Sequence, residues 1–237
     1  MIAICLITLR PNKIWCDFLN LFTNHKIFMI VDDNMFELSD YINDYSNITF
    51  IQVPNATCEL NGYIDTNFIL KKLISGWDKA LYYFGVENKI YDFIWFMEDD
   101  VLFYNENTIT QIDNQFINED LLSKSYGEKK DSNKNTWLWS KINIQYNLPY
   151  YSGMMCAVRV SNKMMNCINN YANKNKTLFF LEALFPTIAI KNNLKLNNPI
   201  EFDTIYYRQN FRGEKVNKNI LYHPVKNLNN HISFRQY

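Results

Sequence analysis

Tyr91-Asp92-Phe93-Ile94-Trp95-Phe96-Met97-Glu98-Asp99-Asp100-Val101-Leu102-Phe103 is the stretch that decides how this chain is read. An apolar run stops at three consecutive carboxylates, and the apolar pattern then resumes. Residues 94–97 are short, β-branched and aromatic, the signature of a buried strand. Such a strand cannot keep three charges inside, so Glu98, Asp99 and Asp100 belong at its exit, in a crevice. Carboxylates crowded there repel one another unless a cation sits among them. Hard oxygen ligands suit Mg²⁺ or Mn²⁺, and those ions in turn hold phosphates. The plain alternative is a solvated strand end, but a surface turn more often places Gly, Pro, Ser or Asn beside its acids. Here both flanks are strongly apolar.

Working outward, the pattern alternates between strands and helices. Residues 2–9 read as an apolar strand ended by Arg10-Pro11, and 13–22 have the helical spacing Ile14, Phe18, Leu21, Phe22. Residues 26–31 form a second strand ending at Asp32-Asp33, and 48–53 a third ending at Pro54. Residues 67–84 read as one long amphipathic helix, and 93–97 as the central strand. The polar stretch 124–136 reads as a loop, a candidate lid over a bound ligand. After it come a strand over 154–160, a helix from Asn162 with Ser161 as N-cap, a helix over 178–192 and a strand-like 220–225. The expectation is an α/β, Rossmann-like fold, a mostly parallel central sheet flanked by helices. Ligands of such sheets bind outside the carboxyl ends of the strands, so the acids at 32–33 and 98–100 should share one rim.

Composition bounds the rest. The 237 residues are 48% hydrophobic and 16% aromatic, enough for a sizeable core in a single domain over 1–237. Lys+Arg and Asp+Glu are both 24, and a net charge of zero argues against nucleic acid as a partner. Five cysteines, with no zinc-type spacing, read as buried free thiols of a reducing, cytoplasmic compartment. The apolar N-terminus is too short for a membrane span and lacks a basic n-region, so no signal peptide or transmembrane segment is expected. Abundant Asn, Ile, Lys, Tyr and Phe fit an AT-rich genome, which makes the sequons at Asn47, Asn55 and Asn175 chance matches.

Together these residues resemble the GT-A fold glycosyltransferases, enzymes that use nucleotide sugars. In that family a central strand ends in a DXD-like acidic motif that holds a divalent metal on the donor diphosphate. Glu98-Asp99-Asp100 is similar to the Glu-Asp-Asp form of the N-acetylglucosaminyltransferase I type, a variant of the more usual Asp-x-Asp. Phe28-Met29-Ile30-Val31-Asp32-Asp33 resembles the second strand, whose terminal acid contacts uridine, and the segment from Tyr151-Ser152-Gly153 to Ser161-Asn162-Lys163 resembles the acceptor-side strand. Leu181-Glu182-Ala183, with Pro186 and the run 189–194, looks like the helix whose leading acid is the base of inverting members, although many members carry a Glu-Asp pair there. Tyr222-His223-Pro224 is similar to the late His that joins the metal or the diphosphate. The order of these elements agrees over roughly residues 1–226.

The resemblance implies a GT-A domain with a nucleotide-sugar half, 1–103, and a smaller acceptor-side half, 104–237. Asp100 and His223 would hold Mn²⁺ or Mg²⁺, with Glu98 and Asp99 assisting through water or ribose. Asp32 or Asp33 would accept hydrogen bonds from the base or ribose, and Lys226 would face the diphosphate. Glu182, among Leu178, Phe179, Phe180, Leu181, Leu184 and Phe185, would be desolvated and suited to act as general base, giving inversion. Trp137, Trp139, Tyr150 and Tyr151 are candidate stacking residues for a sugar. The expected donor is a UDP-sugar, and the acceptor a glycan, glycoprotein or small molecule. The rivals are a metal-dependent nuclease or phosphatase and a non-catalytic carbohydrate-binding protein. A nucleotidyltransferase usually carries a Gly-rich N-terminal phosphate loop, and residues 6–13 contain no glycine.

Overall fold

The computed structural model describes residues 1–67, 74–129, 138–208 and 216–236. The first half runs β1 (Ile2–Thr8), α1 (Lys13–Leu19), β2 (Lys26–Val31), α2 (Ser39–Asp44), β3 (Ile48–Ile51), α3 (Asn55–Leu60), α4 (Gly76–Tyr82), β4 (Phe93–Glu98) and α5 (Glu106–Gln115). The second half adds β5 (Leu121–Lys129), β6 (Tyr150–Ser161), α6 (Asn162–Asn175), α7 (Leu181–Lys191), β7 (Leu196–Asn197) and α8 (Leu228–Arg235). The strands form one seven-stranded sheet in the order β3-β2-β1-β4-β6-β5-β7. β1 pairs in parallel with β2 and β4, β2 with β3, and β5 with β7, whereas β6 is antiparallel to both β4 and β5.

Strand alternation sorts the apolar side chains into two layers. Ala3, Cys5 and Ile7 of β1 and Ile94 and Phe96 of β4 face a core shared with α4, α6 and α7. Ile4, Leu6, Trp95 and Met97 face the other side, where Trp15, Cys16 and Leu19 of α1 and Ile109 and Ile112 of α5 pack. Both faces are covered, which is why these strands read as near-continuous apolar runs. All five cysteines are free, and four of them are buried. Among the described residues no helix is long and apolar enough to cross a membrane.

Several expected elements differ in extent. Within the stretch 67–84, the described helix begins only at Gly76, where Asp78 Oδ2 accepts from Ser75 N–H and Oγ–H at 2.8 Å each, and it runs on through a π-helical turn at Tyr83–Glu87; residues 68–73 lie outside the described residues. Residues 124–129, expected as loop, belong to strand β5, whose register on β6 shifts between Leu122 and Lys124 and between Ser125 and Gly127. Those irregularities break the period-2 pattern from which a strand is read. The remainder of that candidate lid, 130–136, lies outside the described residues. Residues 220–225 make isolated bridges, Leu102 with Tyr222 and Ile205 with His223, rather than a strand.

Candidate metal centre at the sheet rim

Because β2 and β4 both run parallel to β1, with Thr8 beside Val31 and Ile7 beside Glu98, their exits open on one rim. The three acids at the β4 exit then diverge as strand alternation requires. Glu98 turns to the side of Ile94 and Phe96, where Trp77 Nε1–H of α4 donates to its Oε1 at 2.8 Å. Asp99 turns toward β1 and accepts from Thr8 Oγ–H at 2.6 Å, while its carbonyl accepts from Trp15 Nε1–H at 2.8 Å. Asp100 meets the late histidine. Reciprocal bonds between Leu102 and Tyr222, both 2.8 Å, and one from Val225 N–H to the Asp100 carbonyl, 2.7 Å, draw residues 222–225 alongside. His223 Nε2 thereby lies 3.3 Å from Asp100 Oδ1. One ligand atom each from Glu98, Asp100 and His223 falls within 4.8 Å of the others.

The histidine's orientation is fixed from behind. Its Nδ1 lies 2.8 Å from the Tyr206 carbonyl, which can only accept, so Nδ1 carries a proton and Nε2 faces the acids. Asp100 Oδ1 is buried and accepts no hydrogen bond, so its contact with Nε2 is one of charge proximity. Burial raises the Glu98 pKa and the Asp100 charge raises it further, against the Trp77 hydrogen bond. Burial also raises Asp99, opposed by Thr8. At His223 burial disfavours the cation, but the nearby Asp100 carboxylate outweighs it and the pKa rises. Burial thus holds Glu98 and Asp99 toward their neutral forms, while Asp100 holds the His223 imidazole toward its cation. A buried carboxylate oxygen without a donor, a second carboxylate and an anchored imidazole nitrogen suit one hard divalent cation, Mn²⁺ or Mg²⁺.

Glu182 sits in the first turn of α7, half-buried. Burial, then the charge of Glu98, pushes its pKa up to about 7, with His223 opposing. Glu182 is thus close enough to the cluster to share its field. Cys156, one residue beyond the Met97–Ala157 pair, is raised well above the usual thiol range by burial and then by Glu98 and Asp100.

The remaining candidates fall out differently. Asp32 and Asp33 lie at the β2 exit, and both are ion-paired. Asp32 Oδ1 is 3.0 Å from Lys79 Nζ. Asp33 accepts from Arg10 Nε–H at 2.7 Å and from its own turn, Met35 N–H, at 2.9 Å. Lys79 is a rim residue that the sequence reading missed. Lys226 follows Val225 and is exposed. Trp139 is buried in the core against Tyr150, 6.1 Å between rings, so it offers no stacking face. Tyr150 donates to the Tyr146 carbonyl at 2.9 Å and Tyr151 to Glu128 at 3.1 Å. Trp137 lies outside the described residues.

A mixed sheet of order 3-2-1-4-6-5-7, with helices on both faces and an acidic exit on its central strand, defines a GT-A-like, Rossmann-like α/β fold. The structure is similar to the galactosyltransferase LgtC in complex with donor and acceptor sugar analogs, with a TM-score of 0.51 and 11% identity over 100% of this chain and 95% of that one. More distant likenesses are to 4-diphosphocytidyl-2C-methyl-D-erythritol synthase from Anaerococcus prevotii, TM-score 0.48 and 7% identity over 100% of this chain and 95% of that one. Another is the bifunctional IspDF from Campylobacter jejuni, TM-score 0.42 and 10% identity over 84% of this chain and 49% of that one. The sequence matches no protein-family model and no curated protein.

Proposed function

We propose that the protein is a metal-dependent glycosyltransferase that moves a sugar from a nucleotide sugar, a UDP-sugar, to an acceptor hydroxyl on a glycan, glycoprotein or small molecule. The observation that supports this best is the convergence of Glu98, Asp100 and His223 within 4.8 Å at the carboxyl rim of a GT-A-like sheet. In this reading residues 1–103 hold the donor and 104–237 the acceptor within one domain, and Glu98, Asp100 and His223 hold Mn²⁺ or Mg²⁺. Such an ion supplies neutralising charge for a diphosphate leaving group. Trp77 and the Tyr206 carbonyl keep Glu98 and His223 turned toward that position. Glu182, its pKa pushed up to about 7 by burial, takes the proton of the acceptor hydroxyl as its carboxylate, and direct attack then inverts the anomeric centre with the nucleoside diphosphate as leaving group. Asp99 stays with Thr8 and shapes the turn. In this reading Asp32 and Asp33 serve the nucleoside side, and Lys226 would supply charge to the diphosphate.

The test is a screen of UDP- and GDP-sugars with and without Mn²⁺, reading thermal stabilisation and released nucleotide, in wild type and Asp100→Ala. Metal-dependent stabilisation and free UDP, both lost in the variant, are expected. Release of pyrophosphate or inorganic phosphate in place of UDP would replace this reading with nucleotidyl transfer or hydrolysis. Sugar binding without turnover would leave a carbohydrate-binding protein.

A further inference from the structure

Every residue of α4 is buried, so a lysine within it must bring its own partners. Lys79 is 1% exposed, and its ammonium reaches three acceptors: Asp32 Oδ1 at 3.0 Å, the Asp32 carbonyl at 2.5 Å and Asn34 Oδ1 at 2.8 Å. An ammonium has three protons, and each has a partner here. Asn34 passes the constraint on, donating to the Val53 carbonyl at 2.9 Å, and Gln52 donates to the Asp33 carbonyl at 2.8 Å. One buried cation thus fixes residues 32–34 from the α4 side while the exit of β3 fixes them from the other. The approach is close: a Cβ at Gly76 would lie 2.7 Å from Ile7 Cγ2 and 3.5 Å from Asp32 Cβ.

Packing alone does not call for this arrangement, because buried ion pairs are commonly replaced by apolar side chains with little loss of stability. What it does provide is a fixed geometry and a cancelled charge at the β2 exit. That exit shares its rim with Glu98, one strand away across β1. Ligands of such sheets lie across neighbouring strand exits. A diphosphate at the β4 exit therefore places the nucleoside over β1 and β2, where an unpaired Asp32 would add to the anionic field.

We infer that Lys79 is a positioning residue for the nucleoside half of the donor, acting through Asp32 and Asn34. This rests on the donor site proposed above. The test compares wild type with Lys79→Met and Lys79→Gln, both of which leave Asp32 in place; Gln keeps a donor for the acceptors at the β2 exit. Three quantities are measured: the UDP dissociation constant by calorimetry in saturating Mn²⁺, the dissociation constant of Mn²⁺ alone by electron paramagnetic resonance, and the melting temperature. The folded Lys79 variants should bind Mn²⁺ alone within about twofold of wild type, yet bind UDP at least about tenfold more weakly, ~1.4 kcal/mol. Should Lys79→Met fail to fold, Lys79→Gln decides. UDP affinity within about twofold of wild type in a folded Lys79 variant overturns the inference, as does parallel loss of Mn²⁺ and UDP affinity, which marks a merely structural role. Wild type that binds Mn²⁺ but neither UDP nor GDP overturns the donor reading itself, and the inference with it.

Discussion

Both ring nitrogens of His25 face carboxylates, Nδ1 at 2.9 Å from Glu106 Oε1 and Nε2 at 3.2 Å from Asp113 Oδ2. A neutral imidazole donates one proton, so donation to both requires the imidazolium. Its partners are themselves held: Asp113 accepts from Arg159 and Trp95, each at 3.0 Å, and Glu106 accepts the backbone N–H groups of Thr23, Asn24 and His25. Burial works against the cation, but the bonds to Asp113 and Glu106 outweigh it and raise the pKa. With the folded pKa above the unfolded value near 6.5, protonation favours the folded state. The contribution is complete below about pH 6.5 and is lost as pH rises through the folded pKa. Urea midpoints of wild type should therefore decline with pH above neutrality, and His25→Gln should flatten that decline; an equal slope in both would refute the assignment. For Glu182 the expectation concerns rate. Glu182→Gln should lower kcat by about 10²–10⁴ while UDP binding persists, and wild-type kcat should climb with pH as the carboxyl, near pKa 7, ionises. Glu182 was legible as a single acid in an apolar run. Lys79 was not, because reading 67–84 as amphipathic gave Asp78 and Lys79 a wet face. The helix is instead buried all round, so each charge has an internal partner.

Among the elements, α4 is the one whose placement the rim depends on. Its first residue, Gly76, lies against β1 and β2 so closely that a methyl group would meet Ile7 Cγ2 at 2.7 Å. Gly76→Ala should push α4 off the rim, destabilise the fold by about 1–3 kcal/mol and loosen the Lys79–Asp32 pair. At Gly127 on β5, nothing lies within 4 Å of an added Cβ, so Gly127→Ala should leave stability within about 0.5 kcal/mol of wild type. Equal melting temperatures for the two variants would contradict this account. The same contrast explains which elements the sequence disclosed. β1, β2 and β4 are apolar on both faces because both faces are covered, and such runs are conspicuous. α2, with no buried residue, and the two-residue β7 carry little hydrophobic signal and went unread. Residues 220–225 carry a strand's composition but meet two different partners, Leu102 and Ile205, one bridge each. Periodicity reports burial, and it does not report how many ladder bonds a buried segment makes.

At the scale of the whole molecule, the rim trades stability for charge. Burial and the Asp100 carboxylate both raise the pKa of Glu98, so its ionised form is less favourable in the fold than in the unfolded chain. For a carboxyl group raised in this way the sign is opposite to that of His25. Stability is lost as pH rises from the unfolded value, about 4.3, toward the folded pKa, and the deficit is complete above it. Gln at this position keeps an oxygen for Trp77 Nε1–H and removes the charge. Metal-free Glu98→Gln should therefore melt higher than metal-free wild type at neutral pH. A cation reverses the order. Any ion that binds the folded state alone adds RT ln(1 + [L]/Kd), about 2.7 kcal/mol at a hundredfold excess over Kd. Wild type should gain that increment from Mn²⁺, whereas Glu98→Gln, with one carboxylate fewer, should gain little. The two melting curves, taken with chelator and with Mn²⁺, should cross in rank. If Glu98→Gln were less stable without metal, then Glu98 would be a structural acid satisfied by Trp77. If both proteins gained equally from Mn²⁺, the ion would be held elsewhere. Only a site built for a charge it does not itself contain predicts the crossing.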